Sequence, residues 1–169
     1  MAKSTFSGPV KSLAGFISAG VNNSVSLTAD TTLTVDTHAG KILLCNDADG
    51  KFTLPSIVTT TPSDPTDPNQ LNNIGASFYF YIETLATDLD IKTDGTDKFK
   101  GAVFTAVDDG VEKAFVPAAT NDVITLNGTT KGGIVGSVVQ VTAIDAATYL
   151  VHNSLLIGSG TIVTPFADA

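Results

Sequence analysis

The fold class is decided by residues 77–82, whose sequence is Ser-Phe-Tyr-Phe-Tyr-Ile. Aromatic side chains favour β-strands. Successive residues of a strand point to opposite faces, and in this run both faces carry apolar side chains. A near-continuous apolar run is typical of a central strand that is covered on both sides. We therefore predict a central β-strand at Ser77–Ile82.

The same signal continues outward in both directions as short apolar runs with a period of two. Gly, Asn or Asp interrupts these runs at intervals of about 8–12 residues, as in sandwiches and barrels. Thr is abundant, and Thr, Val and Ile prefer strands because they are stiff at χ1. We predict an all-β fold, an antiparallel β-sandwich or jelly-roll-like domain. The other predicted strands are Val25–Leu27, Leu33–Val35, Lys41–Cys45, Phe52–Leu54, Leu89–Lys92, Ala102–Val107, Ala114–Val116, Asp122–Leu126, Val138–Ile144, Thr148–His152, Leu155–Ile157 and Thr161–Val163.

Turn-forming residues separate several of these strands. Asp47-Ala48-Asp49-Gly50 predicts a hairpin, because Gly accepts a positive φ and Asp can cap its own backbone. Asn127-Gly128 is the strongest short hairpin signal in the chain. Asp145-Ala146-Ala147 predicts a further turn between two long strands.

The domain organisation is simple, because no sharp change of composition divides the chain. We predict a single β-sandwich domain over residues 21–169. One stretch of it, residues 57–73, has low complexity and contains three prolines, at positions 62, 65 and 68. Such a stretch predicts a solvated, semi-extended loop.

Residues 1–20 form a different kind of segment. Its apolar residues are isolated among small residues, and Gly and Pro interrupt any regular element. Two alternatives fit: an extended arm that inserts its apolar side chains into a neighbouring molecule, or a strand-like segment packed on its own domain. The predicted contact residues are Lys3, Phe6, Pro9, Val10, Lys11, Leu13, Phe16 and, near the other end of the chain, Phe166.

The charge of the chain and the length of its apolar runs argue against two classes of partner, nucleic acids and membranes. The 169 residues carry a net charge of −8, and none of the basic residues is Arg. An acidic chain without Arg is repelled by phosphate, so we predict no nucleic-acid partner. No apolar stretch approaches the roughly 18 residues of a membrane span, and none resembles a secretory signal, which predicts no membrane partner and synthesis in a cytoplasm. Low charge with high apolar content favours a surface partly covered by partners.

Residues able to perform catalysis are few and scattered. Two histidines, His38 and His152, have no partner at metal-ligand spacing, and no serine lies in a nucleophile elbow. Cys45, the single cysteine, lies in an apolar run, which predicts a small buried hydrophobe. Residues 46–50, Asn-Asp-Ala-Asp-Gly, are similar to the start of a calcium loop, but Val58 stands where that loop needs Glu. We predict no catalytic residue, cofactor or metal, and therefore no enzyme.

Several stretches in order along the chain resemble one family. Residues 121–137, Asn-Asp-Val-Ile-Thr-Leu-Asn-Gly-Thr-Thr-Lys-Gly-Gly-Ile-Val-Gly-Ser, resemble a segment of small virion structural proteins of tailed marine phages and cyanophages. Phe52–Pro55 and Gly75–Phe80 precede it with a similar pattern, and Gly158–Ala167 follows it. The opening, Phe6–Val10, is also similar to the start of such proteins. Together these stretches cover about half of the chain.

The resemblance implies a capsid decoration, or cement, protein. Such proteins are usually homotrimers on the outer surface of the head, where they bind the major capsid protein and need no cofactor. The family has no catalytic residues to transfer to this sequence. Two departures are the Pro-rich stretch 59–69, which has the character of an insertion, and Tyr149, near which relatives are expected to have Trp. The implied location is therefore the virion, on the outer capsid surface.

Two other function classes stay open at this point. A head- or tail-fibre-associated module that binds a receptor or glycan would use an exposed aromatic or calcium platform. An enzyme such as a polysaccharide depolymerase would need a constellation of carboxylates. Aspartates cluster here at turns, where turn geometry explains them.

Overall fold

The computed structural model describes residues 23–60, 72–107 and 112–169. These residues form thirteen β-strands and one short helix. The elements are β1 (Ser24–Leu27), β2 (Thr31–Thr32), α1 (Val35–His38), β3 (Ile42–Cys45), β4 (Lys51–Thr53), β5 (Ser77–Ile82), β6 (Leu89–Lys92), β7 (Lys98–Gly101), β8 (Val103–Val107), β9 (Lys113–Phe115), β10 (Val123–Leu126), β11 (Val138–Asp145), β12 (Thr148–Gly158) and β13 (Phe166–Ala167). The prediction of an all-β fold is confirmed.

The strands form two sheets that pack against each other. The large sheet has the order β1-β3-β5-β11-β12-β8-β9, with β7 also paired to β12, and the small sheet has the order β13-β10-β6-β4-β2. The rings of Phe52 in the small sheet and Phe80 in the large sheet stack with their centroids 6.3 Å apart. A single cluster of buried apolar side chains from both sheets fills the space between them.

In its first half the chain alternates between the two sheets. Strands β1, β3 and β5 belong to the large sheet, and β2, β4 and β6 belong to the small one. Each connection reverses the chain and moves it to the opposite sheet, so every second strand runs in the same direction. The pairs β1–β3, β3–β5, β2–β4 and β4–β6 are accordingly parallel. The sheets are therefore mixed, and the prediction of antiparallel pairing is wrong for this half.

The same alternation explains why two hairpin predictions are wrong. The turn at Asp47–Gly50 joins β3 to β4, and Asn127-Gly128 lies between β10 and β11, so each connects strands of different sheets. Gly128 does adopt the positive φ, 69°, that the hairpin signal implies. Asp and Gly satisfy a tight turn whether the next strand pairs with the previous one or crosses the core. The turn at Asp145-Ala146-Ala147 does form a hairpin, with Asp145 opposite Thr148.

Most predicted strands are present, but several segments differ from the prediction, and the short strand β2 was not predicted. Thr148–His152 and Leu155–Ile157 are parts of one strand, β12. Leu33–Val35 is not a strand, because Val35 begins the helix α1. Thr161–Val163 lies outside any strand, and the last strand is β13 instead. The strand β7 was not predicted, because its sequence Lys-Phe-Lys-Gly has one apolar side chain.

The base of the Pro-rich loop is fixed by one buried side chain. The Asn73 side chain accepts a hydrogen bond from the Val58 N–H over 2.7 Å and donates one to the Ser56 carbonyl over 2.8 Å. Residues 61–71 of this loop lie outside the described residues. So do residues 1–22, which include the predicted arm and the contact residues Lys3 to Phe16.

Two single-residue predictions concern the core. Cys45 is completely buried, as predicted, and burial raises the pKa of its thiol to about 12. Phe166 was predicted to contact a neighbouring molecule, but it is only 6% exposed and belongs to the core of its own chain. Its strand β13 pairs with β10 and turns the ring inward, so the prediction for Phe166 is wrong.

Candidate interaction surface

The outer face of the large sheet carries a continuous row of apolar side chains. Register places Phe104 opposite Leu155, Leu155 opposite Val138, Val138 opposite Tyr81, and Tyr81 opposite Leu44. We call these five residues the apolar row. It crosses five adjacent strands, from β8 to β3, and the inner faces of the same strands fill the core.

The apolar row is most exposed at its β8 end. Phe104 is 59% exposed and Leu155 is 44% exposed, whereas Val138, Tyr81 and Leu44 are half-buried by their neighbours in the sheet. Beyond Phe104, the edge strand β9 places the exposed Ala114 directly opposite it. A contiguous exposed apolar surface of this kind marks an interaction site more often than isolated exposed residues do.

A β-bulge in β12 directs Leu155 to the outer face. Between the pairs Gln140–His152 and Val138–Leu155, β12 has one residue more than β11. Asn153 occupies this bulge with a φ of 46°, the only positive φ of a non-glycine residue in the described part of the chain. The extra residue reverses the alternation, so Ser154 is buried and Leu155 points outward. Bulges commonly redirect a side chain in this way.

A second row, next to the apolar row, is polar across β12, β11 and β5 and ends at the exposed Ile42 of β3; we call it the polar row. His152 lies opposite Gln140, and Gln140 lies opposite Tyr79, which in turn lies opposite Ile42. The Gln140 amide donates to the Ser77 hydroxyl over 2.8 Å and accepts from the Asn153 amide over 3.0 Å. These bonds hold the polar side chains of the row in fixed positions.

The outer face of the large sheet lacks charge over its central strands. Among the described residues, the outward positions of β3, β5, β8 and β12, and those of β11 from Val138 to Thr142, include no Asp, Glu or Lys. The small sheet differs, because Lys51 on its outer face bridges Asp88 at 2.9 Å and Asp90 at 3.0 Å. Lys92 also lies on that outer face, opposite Thr53. Two sheets of one domain therefore present chemically different surfaces.

The two histidines have structural roles. The backbone N–H of Thr34, the residue before α1, donates to Nδ1 of the buried His38 at the end of this helix over 2.9 Å. Nε2 of His152 lies 2.8 Å from the Thr142 hydroxyl across the sheet. In the described residues, no group of three or more His, Cys, Asp and Glu side chains is placed to hold a metal ion.

Two acidic residues next to strand ends form hydrogen bonds to the backbone and have shifted pKa values. Burial, with the nearby charges of Asp94 and Asp145, raises the pKa of the Asp97 carboxyl, although this carboxylate accepts a hydrogen bond from the Ile57 N–H over 3.0 Å. At the start of β10, Asp122 is paired with Lys98 at 2.6 Å. Burial alone would raise the pKa of Asp122, but the bonds from Lys98 and the Ala169 N–H outweigh it and lower that pKa.

Sequence reasoning did not identify the apolar row. Its five residues come from strands far apart in the chain, and only the pairing register brings them together. The available signal was the second apolar face of Ser77–Ile82. That pattern predicts a strand covered on both sides. β5 is central in its sheet as predicted, but Tyr79 and Tyr81 on its outer face are only half-buried.

Comparisons with protein-family models, with curated proteins and with solved structures found no match to this chain. The resemblance to phage virion proteins therefore stays a prediction. None of the helical structure in the described residues is long and apolar enough to cross a membrane.

Proposed function

We propose that this chain is a structural protein of a phage virion, a capsid decoration protein that stabilises the head by bridging major capsid subunits. Its partners are the major capsid protein and other copies of itself, assembled as a homotrimer. It acts from the outer surface of the capsid after synthesis in the host cytoplasm.

The observation that carries this proposal is the outer face of the large sheet, which bears the apolar row and has no charged residue on its central strands. Apolar surface removed from water contributes about 25 cal/mol per Å² before the costs of ordering and association. Desolvation of charged groups opposes association, and the central strands of this face have none. A symmetric assembly adds avidity, so modest contacts of each copy suffice to hold it on a particle.

The charge of the chain supports an outer rather than an inner position. With a net charge of −8, the protein would be repelled by packaged nucleic acid inside the shell. The charged outer face of the small sheet suits contact with water, whereas the apolar row on the uncharged central strands of the large sheet suits contact with protein. On a capsid, the large sheet would face the shell and the small sheet would face the solvent.

The test is binding to capsid particles of the phage that encodes the protein, measured by co-sedimentation. Phe104→Asp places a charge in the apolar row, and we expect it to weaken binding by at least about tenfold, because an unpaired carboxylate is costly to desolvate. Thr32→Asp is the matched control, since Thr32 is an exposed residue on the outer face of the small sheet. Equal binding of both variants and the unmodified protein would contradict the proposal.

A head- or tail-fibre-associated module that binds a receptor or glycan is the alternative function. The polar row supports it, because the ring of Tyr79 lies beside the amide of Gln140, and sugars bind to such aromatic and amide groups together. Glycan-array binding that is lost in Tyr79→Ala but kept in Phe104→Asp would favour this alternative. Loss of particle binding in Phe104→Asp without any glycan binding would favour decoration.

A further inference from the structure

The loop between β10 and β11 contains the only Asn-Gly pair of the sequence, Asn127-Gly128. Such a pair is chemically labile in a flexible chain, because the glycine nitrogen can attack the Asn side-chain carbonyl without obstruction by a Cβ. The loop nevertheless requires glycine at position 128. Its φ is 69°, and a Cβ at this position would overlap the carbonyl oxygen of Ala86. The fold therefore keeps a residue pair that carries a chemical liability.

The loop also uses every polar atom of the Asn127 side chain. Oδ1 accepts hydrogen bonds from the backbone N–H groups of Thr129, over 3.1 Å, and Lys131, over 2.9 Å. Nδ2 donates to the hydroxyl of Thr130 over 3.1 Å. These bonds hold the side-chain amide in one orientation. Its carbonyl carbon and its amide nitrogen are therefore restrained against the movement that a reaction at this carbon requires.

The attacking atom of the reaction, the backbone nitrogen of Gly128, is restrained as well. Gly128 is buried, and its N–H donates to the carbonyl of Gly132 over 2.8 Å. The Asn127 N–H donates to the same carbonyl over 3.2 Å. The nitrogen becomes nucleophilic only after a base removes its proton, and a buried, bonded N–H meets base only when the structure opens locally.

The segment after β12 holds this loop in place. The Ser159 N–H donates to the Thr129 carbonyl over 3.1 Å. The Val163 N–H donates to the Thr130 carbonyl over 2.9 Å. Opening the loop therefore breaks bonds to a second segment as well as those within the loop. Because each broken bond adds to the free energy of opening, the open state is rare.

We propose that Asn127-Gly128 is a self-modification site, which these hydrogen bonds keep closed and which local opening of the loop activates. In the open loop, the Gly128 nitrogen loses its proton to hydroxide and bonds to Cγ of Asn127. The Cγ–Nδ2 bond breaks, and ammonia leaves with a proton returned from water. Water then opens the cyclic imide at either carbonyl and gives Asp or β-linked aspartate at position 127. Each opening that reacts leaves a permanent negative charge.

The β-linked product would keep the loop from closing again. It lengthens the backbone between residues 127 and 128 by one methylene, which moves the Gly128 N–H relative to the Gly132 carbonyl. The site thus converts a transient opening into a lasting change of the loop between the two sheets. This inference is independent of the proposed function, because it concerns one chain alone.

Peptide mass spectrometry of the full-length protein, incubated in mildly alkaline buffer with and without urea, tests the proposal. The measured quantity is the rate at which Asn127 converts to Asp and β-linked aspartate. Ser159→Asn provides a control within the same molecule, because it creates a second Asn-Gly pair with Gly160. Both control positions are exposed, and within the described residues no hydrogen bond involves the Gly160 N–H.

We expect Asn127 in the native protein to react at least about tenfold more slowly than the control pair, and the two rates to converge in urea. Equal rates in the native protein would overturn the proposal, as would an Asn127 rate that urea does not raise. A faster native rate at Asn127 would also overturn it, because the two N–H groups at Oδ1 would then activate the carbonyl as an oxyanion hole does.

Thr130→Val tests whether the side-chain bonds close the site. It removes the acceptor of Nδ2 at nearly constant volume, so we expect a several-fold faster native reaction at Asn127 and an unchanged rate in urea. Thr161→Val, at an exposed position of the neighbouring segment, is the matched control and should leave both rates unchanged. Thermal unfolding verifies that both variants are folded. An unchanged native rate in folded Thr130→Val would contradict the role given to these bonds.

Discussion

The outer faces of the two sheets show how one domain can combine an apolar surface with a charged one. The small sheet exposes an ion-pair cluster around Lys51, and the large sheet exposes the apolar row from Phe104 to Leu44. Both sheets contribute apolar inner faces to the same core. The inner residues of the strands therefore build the core, whereas the outer residues at alternate positions set the chemistry of the surface that each sheet presents.

The largest difference in stability should separate truncation of an inner residue of β5 from truncation of an outer one. Phe80 is completely buried and stacks on Phe52, so we expect Phe80→Ala to lower the free energy of unfolding by about 3–5 kcal/mol. Tyr81, its neighbour on the outer face, should cost only about 1 kcal/mol when changed to Ala in the isolated protein. Urea unfolding measures both values, and similar losses would mean that the outer face is already covered.

Variants of Asn153, the residue in the β-bulge, test the position of Leu155 on the outer face without changing any residue of the apolar row. A β-branched residue is strained at a φ of 46°, so we expect Asn153→Val to destabilise the fold by about 1–2 kcal/mol and to weaken assembly by misplacing Leu155. Asn153→Gly removes the same side chain but accepts this φ, and should stay within about 0.5 kcal/mol of the unmodified protein. Thermal unfolding and light scattering of both variants provide the measurement; equal behaviour of Val and Gly would argue against the bulge as the cause.

Asp97 is a buried carboxyl in the turn that joins β6 of the small sheet to β7 of the large sheet. Because its pKa is raised in the folded state, the ionised carboxylate destabilises the fold above that pKa, and the penalty disappears as the pH falls towards the ordinary value of 3.8. Asp97→Asn keeps an acceptor for the Ile57 N–H, so we expect a gain of less than about 1 kcal/mol at pH 7. Urea unfolding should show this gain vanishing near pH 4. A gain that persists unchanged at low pH would contradict the assignment.

The smallest effect should come from the ion pairs of the small sheet. We expect Lys51→Met to cost about 0.5–1 kcal/mol at low salt and less at high salt, since exposed ion pairs are weak and screened. Lys92→Met is the control, because no ion pair involves Lys92 within the described residues. Unfolding at two salt concentrations measures both. A salt-independent loss for Lys51→Met would indicate packing by its side-chain stem instead.

The sequence predicts individual strands well, because the alternation of buried and outward residues is local. Ser77–Ile82 and Leu89–Lys92 match β5 and β6 to the residue. The sheet that each strand joins is not local information. Asp47–Gly50 has the same turn residues whether β4 pairs with β3 or crosses to the other sheet, where Phe52 of β4 packs against Phe80 across the core.

The candidate surface was less accessible to sequence reasoning than the fold. The register that aligns Leu44, Tyr81 and Val138 connects strands from different parts of the chain, and the bulge at Asn153 has no sequence signal beyond a tolerated positive φ. The predicted contact residue Phe166 was misassigned because its position near the end of the sequence says nothing about the strand pairing that buries it. The aromatic character of both faces of β5 was the one local indication that the outer face of the large sheet is apolar.

Electron cryomicroscopy of purified virions of the phage that encodes this protein tests whether the large sheet contacts the outer surface of the capsid. We expect density for this fold on the outer capsid surface, with Phe104 and Leu155 buried against protein and Lys51 facing water. Virions that lack this protein, or that carry it with the small sheet against the shell and the apolar row open to solvent, would contradict it.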